Sequence, residues 1–174
     1  MAEKIKLKDY QKSILDKLEA IKTDASSEMI KYLGVEIGNR NVLVDLLEVS
    51  ETLAMADIQP IPLVKPWFLG MSNVRGTLYA INDLGRLLDD SPTNISSNTR
   101  MLLINDRITS NVGFVVNRLI GLRSTETFKL LEPSIEETIC FTADRYEDED
   151  KRLWMVFDCK KLVKSRAFET PYAL

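Results

Sequence analysis

The 174-residue chain contains no histidine. Histidine is the side chain whose ordinary pKa places a charge change near neutral pH. Its absence excludes Ser-His-Asp and Cys-His nucleophile systems, His-ligated metal sites and any histidine phosphodonor. Cysteine is nearly as scarce. Cys140 and Cys159 stand alone, which excludes a four-cysteine zinc cluster and a disulfide scaffold. Both lie beside bulky apolar residues (Ile139 and Phe141; Phe157) and read as buried, unreactive thiols in a reducing compartment. Long apolar runs are missing as well. The longest stretch without a charged residue, Ile108 to Asn117, falls far short of the roughly 20 residues that cross a bilayer, and Met1-Ala-Glu-Lys has no apolar signal core. Neither sign of charge dominates: 23 Lys and Arg against 26 Asp and Glu leave a net charge of -3. The expectation is a cytoplasmic protein with no direct membrane insertion and no global attraction to nucleic acid.

What is present is enough for a core, with 45% hydrophobic and 28% charged residues. Leu7, Tyr10, Ile14, Leu18 and Ile21 recur at steps of three and four, which predicts an amphipathic helix over residues 5–22 that packs on the body or docks a partner. Thr23 to Ser27 reads as a loop. From residue 29 the texture becomes strand-like: Met29 to Ile37, a turn at Gly38-Asn39-Arg40-Asn41, then Asn41 to Val44. Leu46 to Met55 fits either strand or short helix. Three prolines between Ile58 and Pro66 dictate a stiff extended crossing. A strand from Thr77 to Ile81 then runs into a capped helix that starts at Asn82 or Asp83.

Asp89 to Thr99 is polar and serves as the linker candidate between two β-rich halves. The second half offers strands at 100–105, 112–117, 122–128, 139–143 and 153–157, an acidic solvated tip at Tyr146 to Lys151, and a helix from Cys159 to Phe168 capped by Asp158. The helix carries a basic face of Lys160, Lys161, Lys164 and Arg166. Two internal matches point to duplication. Ala80 to Leu88 parallels Met155 to Val163, each with a strand, a capping Asp and an apolar pair, and Asn41-Val-Leu-Val44 parallels Asn111-Val-Gly-Phe114.

Catalytic constellations are absent from this pattern. Asp89-Asp90 and Glu136-Glu137 are adjacent pairs whose side chains point to opposite faces of a strand, and no Gly-rich phosphate cradle occurs. The chain reads as no enzyme, and no cofactor or metal is implied. The segment hardest to explain as packing is Pro66 to Leu84, with Trp67, Phe68 and a single Arg75 next to Gly76. Such an arginine makes bidentate contacts at an interface, or pairs internally with a carboxylate such as Glu51, and the two roles are compatible.

Gly70-Met-Ser-Asn-Val-Arg-Gly76 followed by Ala80-Ile-Asn-Asp-Leu84 resembles the signature of the CheW family of chemotaxis adaptors. Leu46 to Glu51 and Asn111 to Asn117 resemble two of its strands, and the N-terminal extension, Val64-Lys-Pro-Trp67 and Leu153 to Phe157 are most similar to the members found in type IV pilus twitching-motility systems. Ala80 and Asn117 depart from the family's Pro and Asp. The resemblance implies a mainly β fold of two small five-stranded SH3-like barrels (first barrel mainly 29–90, second mainly 99–157) within a CheW-like domain at 29–168, flanked by a helical extension at 1–28, a C-terminal helix at 158–168 and a tail at 169–174. It also implies a non-catalytic adaptor between the cytoplasmic tip of a methyl-accepting chemoreceptor and a CheA-type histidine kinase, with self-association or assembly with other CheW-like proteins left open. By motif position it gives a partner surface of Val49, Glu51, Gly70, Met71, Asn73 and Arg75. The competing expectation is a small-barrel module for a ligand or nucleic acid, which requires a basic aromatic groove.

Overall fold

A computed structural model describes residues 11–14, 30–89, 91–136 and 138–173. Residues 11–14 are helical; the rest of the expected N-terminal helix, the 23–27 loop, Met29, Asp90 and Glu137 lie outside the described residues. The chain forms two compact units, 1–30 and 31–174. The second holds every described strand.

β1 (Tyr32–Ile37) and β2 (Arg40–Asp45) form a hairpin with Ile37 opposite Arg40. Gly38 adopts a φ of 61°, and its N–H donates to Asn117 Oδ1 at 2.7 Å. The acceptor role of Asn117 is one an Asp fills equally, so that departure from the family pattern is chemically small. The ambiguous 46–55 segment is strand β3 (Val49–Ala54), and β4 (Phe68–Val74) and β5 (Thr77–Asp83) form a second hairpin. After the helix Leu84–Asp89 come β6 (Arg100–Ile104), β7 (Val112–Val116), β8 (Arg118–Arg123), the two-residue β9 (Lys129–Leu130), β10 (Phe141–Glu147) and β11 (Leu153–Phe157).

Three elements differ from the sequence expectation. The 122–128 strand sits earlier, as β8, because it must pair with β1. The 139–143 strand runs on to Glu147 along β11. The C-terminal helix is two pieces, Cys159–Val163 and Arg166–Glu169. Extended backbone at Ser165 interrupts it and caps the second piece.

The described strands make two sheets, ordered β8-β1-β2-β11-β10-β9 and β3-β6-β7-β5-β4. The class is mainly β as expected, but the sheets are curled rather than closed, with six and five strands in place of two five-stranded barrels. Nor does the polar 89–99 segment divide the strands. The first sheet takes β1 and β2 from the N-terminal half and β8 to β11 from the C-terminal half. The reason lies in two parallel pairings, β2 with β11 and β5 with β7. These four strands carry both internal sequence matches: Asn41 to Val44 lies on β2 and Asn111 to Phe114 leads along β7, while the strand-Asp-helix corners end β5 and β11. Strand for strand, β3-β4-β5-β6-β7 corresponds to β8-β10-β11-β1-β2. The repeated unit therefore begins at β3, and the chain's first two strands complete the second copy.

A main core fills the seam between the sheets. It takes Val35, Ile37, Val42 and Val44 from one side and Leu102, Ile104, Phe114 and Val116 from the other, with Leu84, Cys159 and Leu162 from the helices. Each curled sheet also encloses a smaller core: Tyr32, Leu43, Trp154 and Val156 in the first, and Ile81, Met101 and Val115 in the second. Arg40 of β2 forms a bidentate pair with Asp89 at the end of the helix Leu84–Asp89, fastening one sheet to the corner of the other. The 89–99 segment is equally tied down. Buried Asp83 accepts from the Thr93 N–H at 2.8 Å and its hydroxyl at 2.7 Å, so it is no free linker.

The acidic tip is likewise more than a solvated turn. Asp148 is buried and accepts from the Trp154 indole N–H at 2.8 Å, the Arg152 Nε at 2.8 Å, and the Asp150 and Arg152 backbone N–H groups at 2.9 Å each. Burial alone raises its pKa, but the combined hydrogen bonds outweigh it and hold the carboxyl below its ordinary value. Asp148→Ala leaves the fully buried indole without an acceptor, and urea denaturation of this variant is expected to show a loss of about 1–3 kcal/mol.

Candidate functional site

The β4–β5 hairpin turns through Arg75 and Gly76, with Val74 opposite Thr77. Both turn residues have positive φ, 52° and 87°, the two-residue geometry that matches the twist of the strands. Asn73 stabilises it, its Oδ1 accepting the Gly76 N–H at 2.8 Å. An arginine in this left-handed position is unusual, since such positions favour Gly, Asn and Asp. Its guanidinium is held by Glu51 in a bidentate pair, with Nη1 donating to Oε2 at 2.8 Å and Nη2 to Oε1.

Glu51 lies on β3 and Arg75 at the end of β4, the two opposite edges of the five-stranded sheet. The ion pair therefore spans the gap that hydrogen bonding leaves open in the curled sheet. Its side chains are 56% (Arg75) and 20% (Glu51) exposed. A pair this wet contributes at most about 1 kcal/mol to stability, and it presents charged groups in fixed positions to a partner.

The other expected site residues scatter. Val49 opens β3 but packs, half-buried, against the seam core, and a bulge at Ser50 separates it from Glu51. Gly70 is buried, with a φ of 141°, and a Cβ there would stand 2.1 Å from the Gln59 carbonyl oxygen. Its role is to admit the proline-rich crossing against β4. Met71 exchanges backbone hydrogen bonds with Gln59 in that same crossing, at 2.7 and 2.9 Å. Thus Glu51, Asn73 and Arg75 form one cluster, Val49 belongs to the core beneath it, and Gly70 and Met71 lie under the crossing. Leu78, directly across from Asn73 and 56% exposed, adds an apolar surface beside the turn. Sequence reasoning passed over it because alternation in a short strand gave no reason to expect a leucine facing out.

Sequence reasoning also missed Glu48, just before β3. Its Oε2 is buried and accepts no hydrogen bond among the described residues. Desolvation pushes its pKa up to about 7, and Asp45 and Asp158 add to the rise, while the Cys159 backbone N–H and Lys160 oppose it. Burial raises both thiols as well, Cys140 to about 12, which makes them poor nucleophiles. Because the folded pKa of Glu48 exceeds its unfolded value, the folded state holds the extra proton. Stability contributed by the neutral form is present below about pH 4.5 and falls away as pH rises to about 7. Melting curves from pH 4.5 to 8 are expected to show this decline, and Glu48→Gln is expected to remove it; an unchanged slope in the variant assigns the decline to another group.

A family model described as a CheW-like domain matches residues 31–167, nearly the whole two-sheet body. Protein PilI of Pseudomonas aeruginosa is 27% identical over 139 residues, covering 78% of this chain and 76% of that protein. The crystal structure of the scaffolding protein TtCheW from Thermoanaerobacter tengcongensis superposes with a TM-score of 0.66 at 17% identity, covering 80% of this chain and 96% of that one.

Proposed function

The chain belongs to the CheW-like domain family, and from that membership we propose that it is a non-catalytic adaptor that couples the cytoplasmic tip of a methyl-accepting receptor to a CheA-type histidine kinase. The observation that carries the reading is the extent of the match, which runs from the first strand to the last helix. Likeness to PilI directs the output toward control of type IV pilus twitching motility. The site is cytoplasmic, beside receptor arrays, and no helix among the described residues is long and apolar enough to cross a membrane.

The mechanism needs only contact geometry. The core-backed hairpin presents Arg75 with Glu51 and Asn73 at a wet edge, and Leu78 supplies apolar contact beside them. Charges held in fixed positions select register and orientation more than they add affinity. A receptor segment that offers a carboxylate to the exposed side of the guanidinium satisfies donors that Glu51 leaves free.

Arg75→Ala tests this. Its melting temperature is expected to stay within a few degrees of wild type, because the lost pair is exposed, while capture of a cognate receptor fragment falls about tenfold or more. Co-purification with the full-length kinase is expected for the wild-type chain. Receptor capture that is unchanged in the variant removes Arg75 from the interface.

A further inference from the structure

The crossing between β3 and β4 holds a feature that neither the cores nor the Arg75 turn uses. Leu63 has a φ of 59°, a left-handed conformation that a bulky side chain adopts only under constraint. Its side chain is 77% exposed, so no packing compensates. Strained backbone that presents an apolar side chain to solvent points to a partner.

The constraint is visible on both sides. Upstream, Gln59 is bonded to Met71 of β4. Downstream, the C-terminal tail staples the segment: Val64 bridges Tyr172, the Lys65 N–H donates to the Pro171 carbonyl at 2.7 Å, and the Ala173 N–H donates to the Leu63 carbonyl at 3.0 Å. Pro60 and Pro62 fix φ between the staples. The tail is rooted in turn, since Phe168 stacks on Trp67 at 5.5 Å and lies 5.8 Å from Phe114 of the seam. The result is a rigid knuckle whose ordering entropy is spent during folding. It exposes Ile61 (40%), Leu63 and Tyr172 (64%) together.

Charge narrows the partner. Lys65 reaches Thr170 of the tail, and Lys164 and Arg166 flank Ser165 at the start of the short helix that leads into it. None of the three forms an ion pair among the described residues. The surroundings favour an acidic rim on whatever covers the apolar residues.

Position narrows it further. The knuckle precedes β4 and the Arg75 turn follows it, so the seven residues of β4, about 20 Å of strand, separate the two surfaces. We propose that Ile61, Leu63 and Tyr172 form a second docking surface for a protein partner that presents an apolar cleft rimmed by Asp and Glu, and that it is occupied at the same time as the Arg75 turn. This rests on the adaptor reading: with the receptor tip at Arg75, the knuckle takes the kinase.

The test titrates the full chain against the full-length cognate kinase and, separately, against a receptor cytoplasmic fragment. Leu63→Asn is the main variant, because Asn tolerates the left-handed conformation and keeps the loop; Tyr172→Ala is the second. Each is expected to weaken kinase binding about tenfold or more while leaving receptor binding and melting temperature unchanged. Arg75→Ala is expected to do the reverse, and added salt is expected to weaken the kinase complex. Kinase binding that withstands both knuckle variants overturns the proposal, and so does a knuckle variant that weakens receptor binding instead. A wild-type chain that binds neither probe overturns the adaptor reading itself.

Discussion

The seam between the two sheets is the constraint on which the rest depends. Phe114 of β7 meets Phe157 of β11 edge to face at 6.0 Å, and both are buried. Fully burying such a side chain is worth roughly 1.5–3 kcal/mol. The same phenylalanine reaches Phe168, whose stack on Trp67 sets where the chain begins β4. A single aromatic row thus runs from the centre of the protein to the root of the knuckle. The strands that end at Arg75 begin from a fixed point in this row.

The seam also explains the order of the strands. Each half of the duplicated architecture needs a parallel pair, and a parallel pair cannot be made by a tight turn. β5 pairs with β7 across an intervening helix and β6, but β2 finds its parallel partner only in β11, more than 100 residues away. Contacts this distant in sequence form late and slow folding. The hairpin β1–β2 is an incomplete sheet without the C-terminal strands, and Arg40, opposite Ile37 within it, ties it to Asp89. The Arg40 hydrogen bond holds the Asp89 carboxyl below its ordinary value, and Asp89 in turn raises the arginine.

Much of this was legible in residue order, and the rest was hidden for physical reasons. Proline spacing between 58 and 66 dictated an extended crossing. The two strand-Asp-helix corners revealed the duplication. What they concealed was its phase: similarity says that two segments fold alike, not which strands pair, and the pairing of β2 with β11 is set by packing across the seam. The polar 89–99 segment looked like a linker because its buried contact, Thr93 on Asp83, is made by hydroxyl and backbone groups with no apolar signature. Gly70 resembled a contact residue by motif, whereas its work is steric: it lets the Gln59 backbone lie where a Cβ would be.

Arg75 illustrates how rigidity and weak pairing combine at an interface. A buried Glu51–Arg75 pair would hold the sheet edges more tightly, yet it would have to be desolvated and broken before either group met a partner. The observed pair is exposed on the arginine side and covered on the glutamate side. Glu51 anchors the guanidinium through one face and leaves its remaining donors in water. The left-handed turn fixes the backbone beneath it, and Asn73 fixes the turn. The side chain is therefore oriented before contact at small cost to stability, and a partner that recognises it need displace only water.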